Sequence, residues 1–256
     1  MEGYMGKVIA IVNQKGGVGK TTTSHAFGLG LVAAGKRVLF IDLDQQVSLS
    51  FILGAPEVDI TVYEVLTKRV KIQEALIKFN GYDLLPASAQ LVQADVVITE
   101  VGKEYRLREI LEPIRNDYDY IVIDCPPNLN ILTVLALAAA DDVIIPAQAE
   151  VLAVKGIQAF NETYQTVKRY VNRPLRIAGI LLCRHNTRTN LSRELSELVE
   201  DVAATIGTTV FNTTIRDAVK VREAQTLQRN LFEYAPTSTA AEDYMALVRE
   251  YLNGGK

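Results

Sequence analysis

The stretch Asn13-Gln-Lys-Gly-Gly-Val-Gly-Lys-Thr-Thr-Thr23 separates an apolar run, Val8–Val12, from a helix-like run, Thr21–Ala34. Strand, glycine-rich loop and helix in that order make a phosphate-binding loop. Its glycines let backbone N–H groups turn inward and approach an anion closely. Gly16, Gly17, Val18, Gly19, Lys20, Thr21 and Thr22 are therefore expected to cradle phosphates. Lys20 supplies a point charge at the β- and γ-phosphates, and the Thr21 hydroxyl is a Mg2+ ligand. The loop departs once from the pattern G-x-x-x-x-G-K-[ST], because Gln14 stands at the first glycine position. A second cation, Lys15, opens the loop instead.

The rest of the chain repeats the alternation. Strand-like runs occur at Val8–Val12, Arg37–Ile41, Tyr82–Pro86, Tyr120–Asp124, Asp142–Pro146, Ile177–Cys183 and, more weakly, Thr208–Phe211. Helical spacing occurs at Thr21–Ala34, Arg106–Arg115, Leu129–Ala139, Val154–Val171, Leu191–Ile206 and Ser238–Leu252, with short helices expected in Ser48–Gln73. Several strands are apolar throughout, as when helices cover both faces of a parallel sheet. The expected fold is α/β, a doubly wound, mostly parallel sheet flanked by helices. One domain over 1–256 is expected, with 1–6 a disordered N-terminus and 253–256 a short tail.

Two further motifs end in carboxylates: Val38-Leu-Phe-Ile-Asp-Leu-Asp44 and Tyr120-Ile-Val-Ile-Asp-Cys-Pro-Pro127. In a parallel sheet the C-terminal strand ends line the ligand crevice, so Asp42, Asp44 and Asp124 should converge on the loop. Asp124 suits the Mg2+ shell. Asp42 supports the metal from behind, and Asp44, further into the loop, orients an attacking water. A lone Asp at a strand end caps a turn; three beside a phosphate loop indicate chemistry.

Bulk properties narrow the setting. No apolar run approaches the ~20 residues that span a bilayer, and the first seven residues lack a signal-peptide pattern, so a cytoplasmic location is expected. Cys125 and Cys183 lie in apolar runs and read as buried thiols. The net charge is −3, so nucleic-acid binding requires a local patch.

Lys15-Gly-Gly-Val-Gly-Lys-Thr-Thr22 resembles the deviant Walker A motif of the ParA/MinD group of P-loop ATPases. Asp42-Leu-Asp-Gln-Gln46 is similar to that group's D-x-D-P-Q motif, with Gln45 in place of proline, and Asp124-Cys-Pro-Pro127 matches its Walker B. The similarity extends through Leu132–Glu150 and Arg188–Ser192, and covers about Lys7 to Leu252.

The resemblance implies a weak ATPase with ATP and Mg2+ as cofactors, which closes into a nucleotide-sandwich homodimer. Lys15 would then reach the partner subunit's phosphates, making Lys15, Lys20 and Asp44 the catalytic set. Glu150 would lie near the dimer face and pair with Lys15. The base would contact Arg184–Asn186 and Ile215–Ala218, with Asn186, Ile215 and Arg216 named for it.

Within the group, a ParA/Soj-like reading implies non-specific DNA binding, nucleoid association, partitioning of a plasmid or chromosome locus and a ParB-like centromere-binding or adaptor partner. Arg188, Arg193, Arg216, Lys220 and Arg222 are its DNA-binding candidates. Segment 184–229 holds seven cations against six acids, a weak excess. A MinD-like reading needs a basic amphipathic C-terminal helix; Ser238–Leu252 carries Glu242, Asp243, Arg249 and Glu250, so it should pack on the core rather than on lipid. A ParA-like positioner of a protein cargo would keep the same ATPase. An iron–sulfur relative is rejected because neither cysteine falls where a bridging ligand belongs.

Overall fold

The computed structural model describes residues 5–185 and 190–254. Seven strands form one sheet: β1 (Lys7–Ile11), β2 (Val38–Asp42), β3 (Ile77–Lys78), β4 (Tyr82–Leu85), β5 (Tyr120–Asp124), β6 (Asp142–Ala147) and β7 (Arg176–Leu182). Their order is β3-β4-β2-β5-β1-β6-β7, and every pair is parallel except β3 with β4. β2 and β5 are buried along almost their whole length, which explains their unbroken apolar sequences.

The helices are α1 (Lys20–Ala33), α2 (Ser48–Ile52), α3 (Val62–Leu66), α4 (Ile72–Ala75), α5 (Ala94–Val97), α6 (Arg106–Leu111), α7 (Ile131–Ala139), α8 (Val151–Tyr170), α9 (Asn190–Thr205), α10 (Val219–Thr226), α11 (Leu231–Tyr234) and α12 (Thr239–Leu252). Two apolar cores flank the sheet. One gathers side chains of α3, α6, α7, α8 and α9; the other gathers those of α1, α2, α10, α11 and α12. At Gly28 of α1, a Cβ would fall 2.1 Å from the Phe40 ring, so only glycine lets α1 lie this close to β2.

Two expected elements differ. The helix expected over Arg106–Arg115 stops at Leu111 and tightens into 3-10 turns over Glu112–Asp117, because Pro113 has no N–H to continue it. The weak strand expected at Thr208–Phe211 reduces to one bridge, Ile180 with Val210. The chain is then diverted: the N–H groups of Asn212 and Thr213 donate to the Glu250 carboxylate at 2.7 and 2.8 Å, not to β7. As expected, α12 packs on the core, burying Tyr244, Leu247, Val248 and Tyr251. No helix among the described residues is long and apolar enough to cross a membrane.

At the strand edge opposite the glycine-rich loop, Asp142 is fully buried. Lys7 Nζ lies 2.7 Å from it, Arg176 Nε 2.5 Å, and the Tyr251 hydroxyl donates to it at 2.6 Å. Burial alone would raise this carboxyl; the bonds from Arg176, Lys7 and Tyr251 outweigh it and hold it below its ordinary value.

Candidate functional site

The loop between β1 and α1 is held by side chains at both ends. Asn13 Nδ2 donates to Pro146 O at 2.7 Å, while its Oδ1 accepts the Lys15 N–H at 2.9 Å. Gln148 Nε2 donates to Gly17 O at 3.1 Å. Gly17 and Gly19 have φ of 75° and 102°, values that favour glycine. Gly19 caps α1 with no side-chain bond, and the first turn carries no acid. The free N–H groups and positive dipole end of α1 thus face outward, an anion site by construction.

Charges of both signs surround it. Lys20 is buried, donates to Lys15 O at 3.1 Å and lies within the fields of Asp124 and Asp44. Burial lowers its pKa, opposed by those carboxylates. Lys15 forms an ion pair with Glu150 of the same chain. Asp42 and Asp124 are register partners on β2 and β5. Burial is the main cause that pushes them up, to about 6 and about 8, and their mutual repulsion adds to it for Asp124.

The three carboxylates are bonded differently. Asp42 Oδ2 accepts from the N–H and hydroxyl of Ser50, both at 2.8 Å, and its Oδ1 accepts the Asp44 N–H at 3.1 Å. Both oxygens of Asp42 are thus engaged by neighbouring donors, Oδ2 by two and Oδ1 by one. Asp124 Oδ1 accepts from Ser24 Oγ at 2.8 Å, and the nearby Thr21 hydroxyl helps to lower this carboxyl. Its Oδ2 is buried with no partner among the described residues. An orphaned carboxylate oxygen is costly, and beside Thr21 and Lys20 it fits an oxygen-seeking divalent cation.

Asp44 opens a tight turn. Its carbonyl accepts the Val47 N–H at 2.8 Å, and its Oδ1 accepts the Gln46 N–H at 3.0 Å. Val47 then takes φ 57°, a left-handed value rare for a β-branched residue. Gln45 occupies the second turn position, where proline's fixed φ is favoured. Gln45→Pro should therefore stabilise the fold by about 0.4–1 kcal/mol in urea denaturation and change the turnover rate by stiffening the Asp44 loop. An unchanged rate in a stabilised variant would show that loop stiffness does not govern turnover.

Beside the loop opens a cleft of about 490 Å3, counted with the open space at its mouth. Val18, Gly19 and Thr22 form one wall; Arg184, Ile215, Arg216 and Ala218 contribute to the other.

An AAA-domain family model matches residues 6–177 of the chain. The sporulation initiation inhibitor protein Soj of Bacillus subtilis is 38% identical over 256 residues, covering 98% of this chain and 100% of that protein. The chain belongs to the ParA/Soj family. The chromosome partitioning protein ParA of Caulobacter vibrioides is 37% identical over 254 residues, covering 96% of this chain and 94% of that protein. Among solved structures, cobyrinic acid a,c-diamide synthase of Mycobacterium smegmatis, with bound ATP analog and magnesium, superposes with a TM-score of 0.84. It is 34% identical and covers 97% of this chain and 95% of that one.

The DNA-binding candidates of this ParA/Soj-family chain are more dispersed than its phosphate loop. Arg216 forks onto Asp243 at 2.7 and 3.0 Å, Lys220 pairs with Glu223 at 2.8 Å, and Arg222 pairs with Asp217 at 3.0 Å. These three cations are thus matched by acids, and the structure makes no net-positive patch of them. Arg193 is exposed on α9; Asn186 and Arg188 lie outside the described residues. Cys125 and Cys183 are buried free thiols, as expected.

Five polar residues that shape the site were not foreseen from sequence. Ser24 was the findable one, since it follows Lys20 by one helical turn and so shares its face. Asn13, Ser50, Gln148 and Gln225 carry no local signal. Gln225 reaches the loop from α10, donating to Thr22 Oγ1 at 3.2 Å.

Proposed function

We propose that the chain is an ATP-dependent, DNA-binding switch of the partitioning type. The observation that carries this reading is the unpartnered, buried Asp124 oxygen set beside Thr21, Lys20 and the uncapped start of α1. Residues Gly16–Thr22 hold the ATP phosphates, with Lys20 on the β- and γ-phosphates. Thr21 and Asp124 hold Mg2+, and Asp42 supports them from behind. When bound, Mg2+ neutralises developing phosphate charge. Asp44 positions the attacking water, and Ile215 and Arg216 line the base cleft.

Lys15 gives the switch its second state. In the single chain it pairs with Glu150, and both side chains are partly exposed. In the proposed ATP-bound homodimer it exchanges that carboxylate for the partner subunit's phosphates. The Glu150 side chain is 47% exposed, so giving up that pair costs little. DNA phosphates likewise replace the carboxylates now paired with Arg216, Lys220 and Arg222, and binding is therefore steeply salt-dependent. A ParB-like partner speeds hydrolysis, and ADP releases dimer and DNA, giving a nucleoid-associated cycle. The relatives named Soj and ParA support partitioning over other uses of this site. A protein cargo would change the adaptor and leave the ATPase as it is.

Co-sedimentation with plasmid DNA across a salt series, with ATP or ADP, tests the reading. ATP-dependent, salt-sensitive binding is expected. Lys15→Gln should keep ATP affinity within about threefold, a change under 1 kcal/mol, while losing ATP-driven dimerisation and DNA co-sedimentation. A Lys15→Gln protein that dimerises on ATP and hydrolyses normally would remove the trans-acting lysine. DNA binding equal in ATP and ADP would remove the switch.

A further inference from the structure

A second surface has the chemistry of a docking site and lies apart from the nucleotide site. After α3 the chain reads Thr67-Lys-Arg-Val-Lys71, three cations in five residues of a chain with net charge −3. This turn is rigid. The Arg69 N–H donates to Glu64 O at 2.9 Å and the Lys68 N–H to Val65 O at 3.1 Å, the paired bonds of a Schellman helix end. Lys68 takes the left-handed position of that motif, with φ 59°. Arg106, nearly buried, braces the turn from below by donating to Leu66 O at 2.7 Å, and ion-pairs with Glu100.

The braced turn forms one wall of a groove of about 1210 Å3, counted with the space at its mouth. Val70, Ile110 and Pro113 give it an apolar floor. Lys68 shares Glu100 with Arg106, at 3.5 Å. Arg69 rests over the Tyr63 ring, and neither Arg69 nor Lys71 has a carboxylate within ion-pair distance among the described residues. The acid on the rim, Glu74, is turned to its own helix start, accepting the Lys71 N–H at 3.0 Å. The α10 surface differs, because each of its cations is already matched.

We infer that this groove docks an acidic, amphipathic peptide segment of a partner protein, whose carboxylates meet Arg69 and Lys71 while one or two large apolar side chains cover Val70 and Ile110. The apolar floor selects protein over nucleic acid: a phosphate backbone offers nothing to bury there, and DNA binders present longer rows of cations. Charge complementarity sets the sign of the partner. The groove's segments lead into β3 and β5, whereas the phosphate loop and aspartates stand where β1, β2 and β5 end. The site is therefore expected to work whether or not nucleotide is bound, and the inference does not depend on the proposed switch.

Fluorescence polarisation with the full chain tests it. The probe is a short fluorescein-labelled peptide in which pairs of Glu alternate with Leu and Phe; controls are the same peptide with Lys for Glu, an all-Glu peptide and a labelled DNA duplex. The acidic amphipathic peptide should bind, and the Lys version and the all-Glu version should each bind at least roughly tenfold more weakly. An Arg69→Glu/Lys71→Glu double variant should lose about tenfold or more, with thermal midpoint and ATP hydrolysis unchanged. Val70→Ser, which keeps the charges, should weaken binding about fivefold. No peptide binding at about 1 mM, equal binding by the double variant, or loss of DNA instead of peptide binding in that variant would each overturn the inference.

Discussion

An Asp44→Ala chain is expected to bind ATP as the native chain does and to hydrolyse it roughly 10^2–10^4-fold more slowly, the usual contribution of a positioned proton acceptor. Asp44 is suited to this by its place. It lies two residues beyond the end of β2, is 8% exposed, and its field reaches Lys20. One carboxylate oxygen holds the turn through the Gln46 N–H, and the second makes no hydrogen bond to a described residue. Alanine removes both the charge and that turn bond, so Asp44→Asn separates them: its carbonyl oxygen can still accept from Gln46. If the charge matters, the asparagine variant is as slow as the alanine variant. If only the turn matters, it recovers most of the rate. Single-turnover hydrolysis with saturating ATP distinguishes the outcomes, and a rate within about threefold of native in both variants would exclude Asp44 from the chemistry.

Asp142→Ala is expected to destabilise the fold by about 1–3 kcal/mol, since it leaves the buried Tyr251 hydroxyl without its acceptor and removes the ion pairs of two partly exposed cations. Here the remaining groups are Lys7, Arg176 and the buried Tyr251 hydroxyl. Urea denaturation checks the magnitude; a loss below about 1 kcal/mol would mean that water replaces the carboxylate. The pH dependence has a definite sign. The Asp142 carboxyl is held below its unfolded value, so its contribution is full above pH about 4 and is lost as pH falls through the lower folded value. In the alanine variant that part of the acid transition should vanish.

The architecture was legible because its signals are periodic. The unbroken apolar runs of β2 and β5 marked a sheet covered on both faces, and the loop from Asn13 to Thr23 set its first strand and helix. The convergence of Asp42, Asp44 and Asp124 followed from parallel strands ending on one edge. The division of labour among them was only partly legible. Nothing near Asp42 announces that Ser50, eight residues on, takes up one of its oxygens, and the orphaned oxygen of Asp124 depends on the angle at which α1 presents Ser24. The cationic surface was the least legible. Arg216 and Arg222 look available in sequence, but Asp243 and Asp217 reach them only through the folded chain. The two-residue β3 and the diversion of the chain at Asn212 and Thr213 toward Glu250 are likewise set by long-range contacts.

Val47 gives the Asp44 loop a mechanical character. A β-branched side chain in the left-handed region costs about 1–2 kcal/mol, so the loop is held against its own preference. The hold comes from downstream: α2 begins at Ser48, Leu49 is buried, and Ser50 fastens this segment to Asp42 with two bonds. Asp42 is thus the catch on a cocked spring. The two Ser50 bonds tie the end of β2 to the segment that holds Val47 in place, and with it the turn that Asp44 opens.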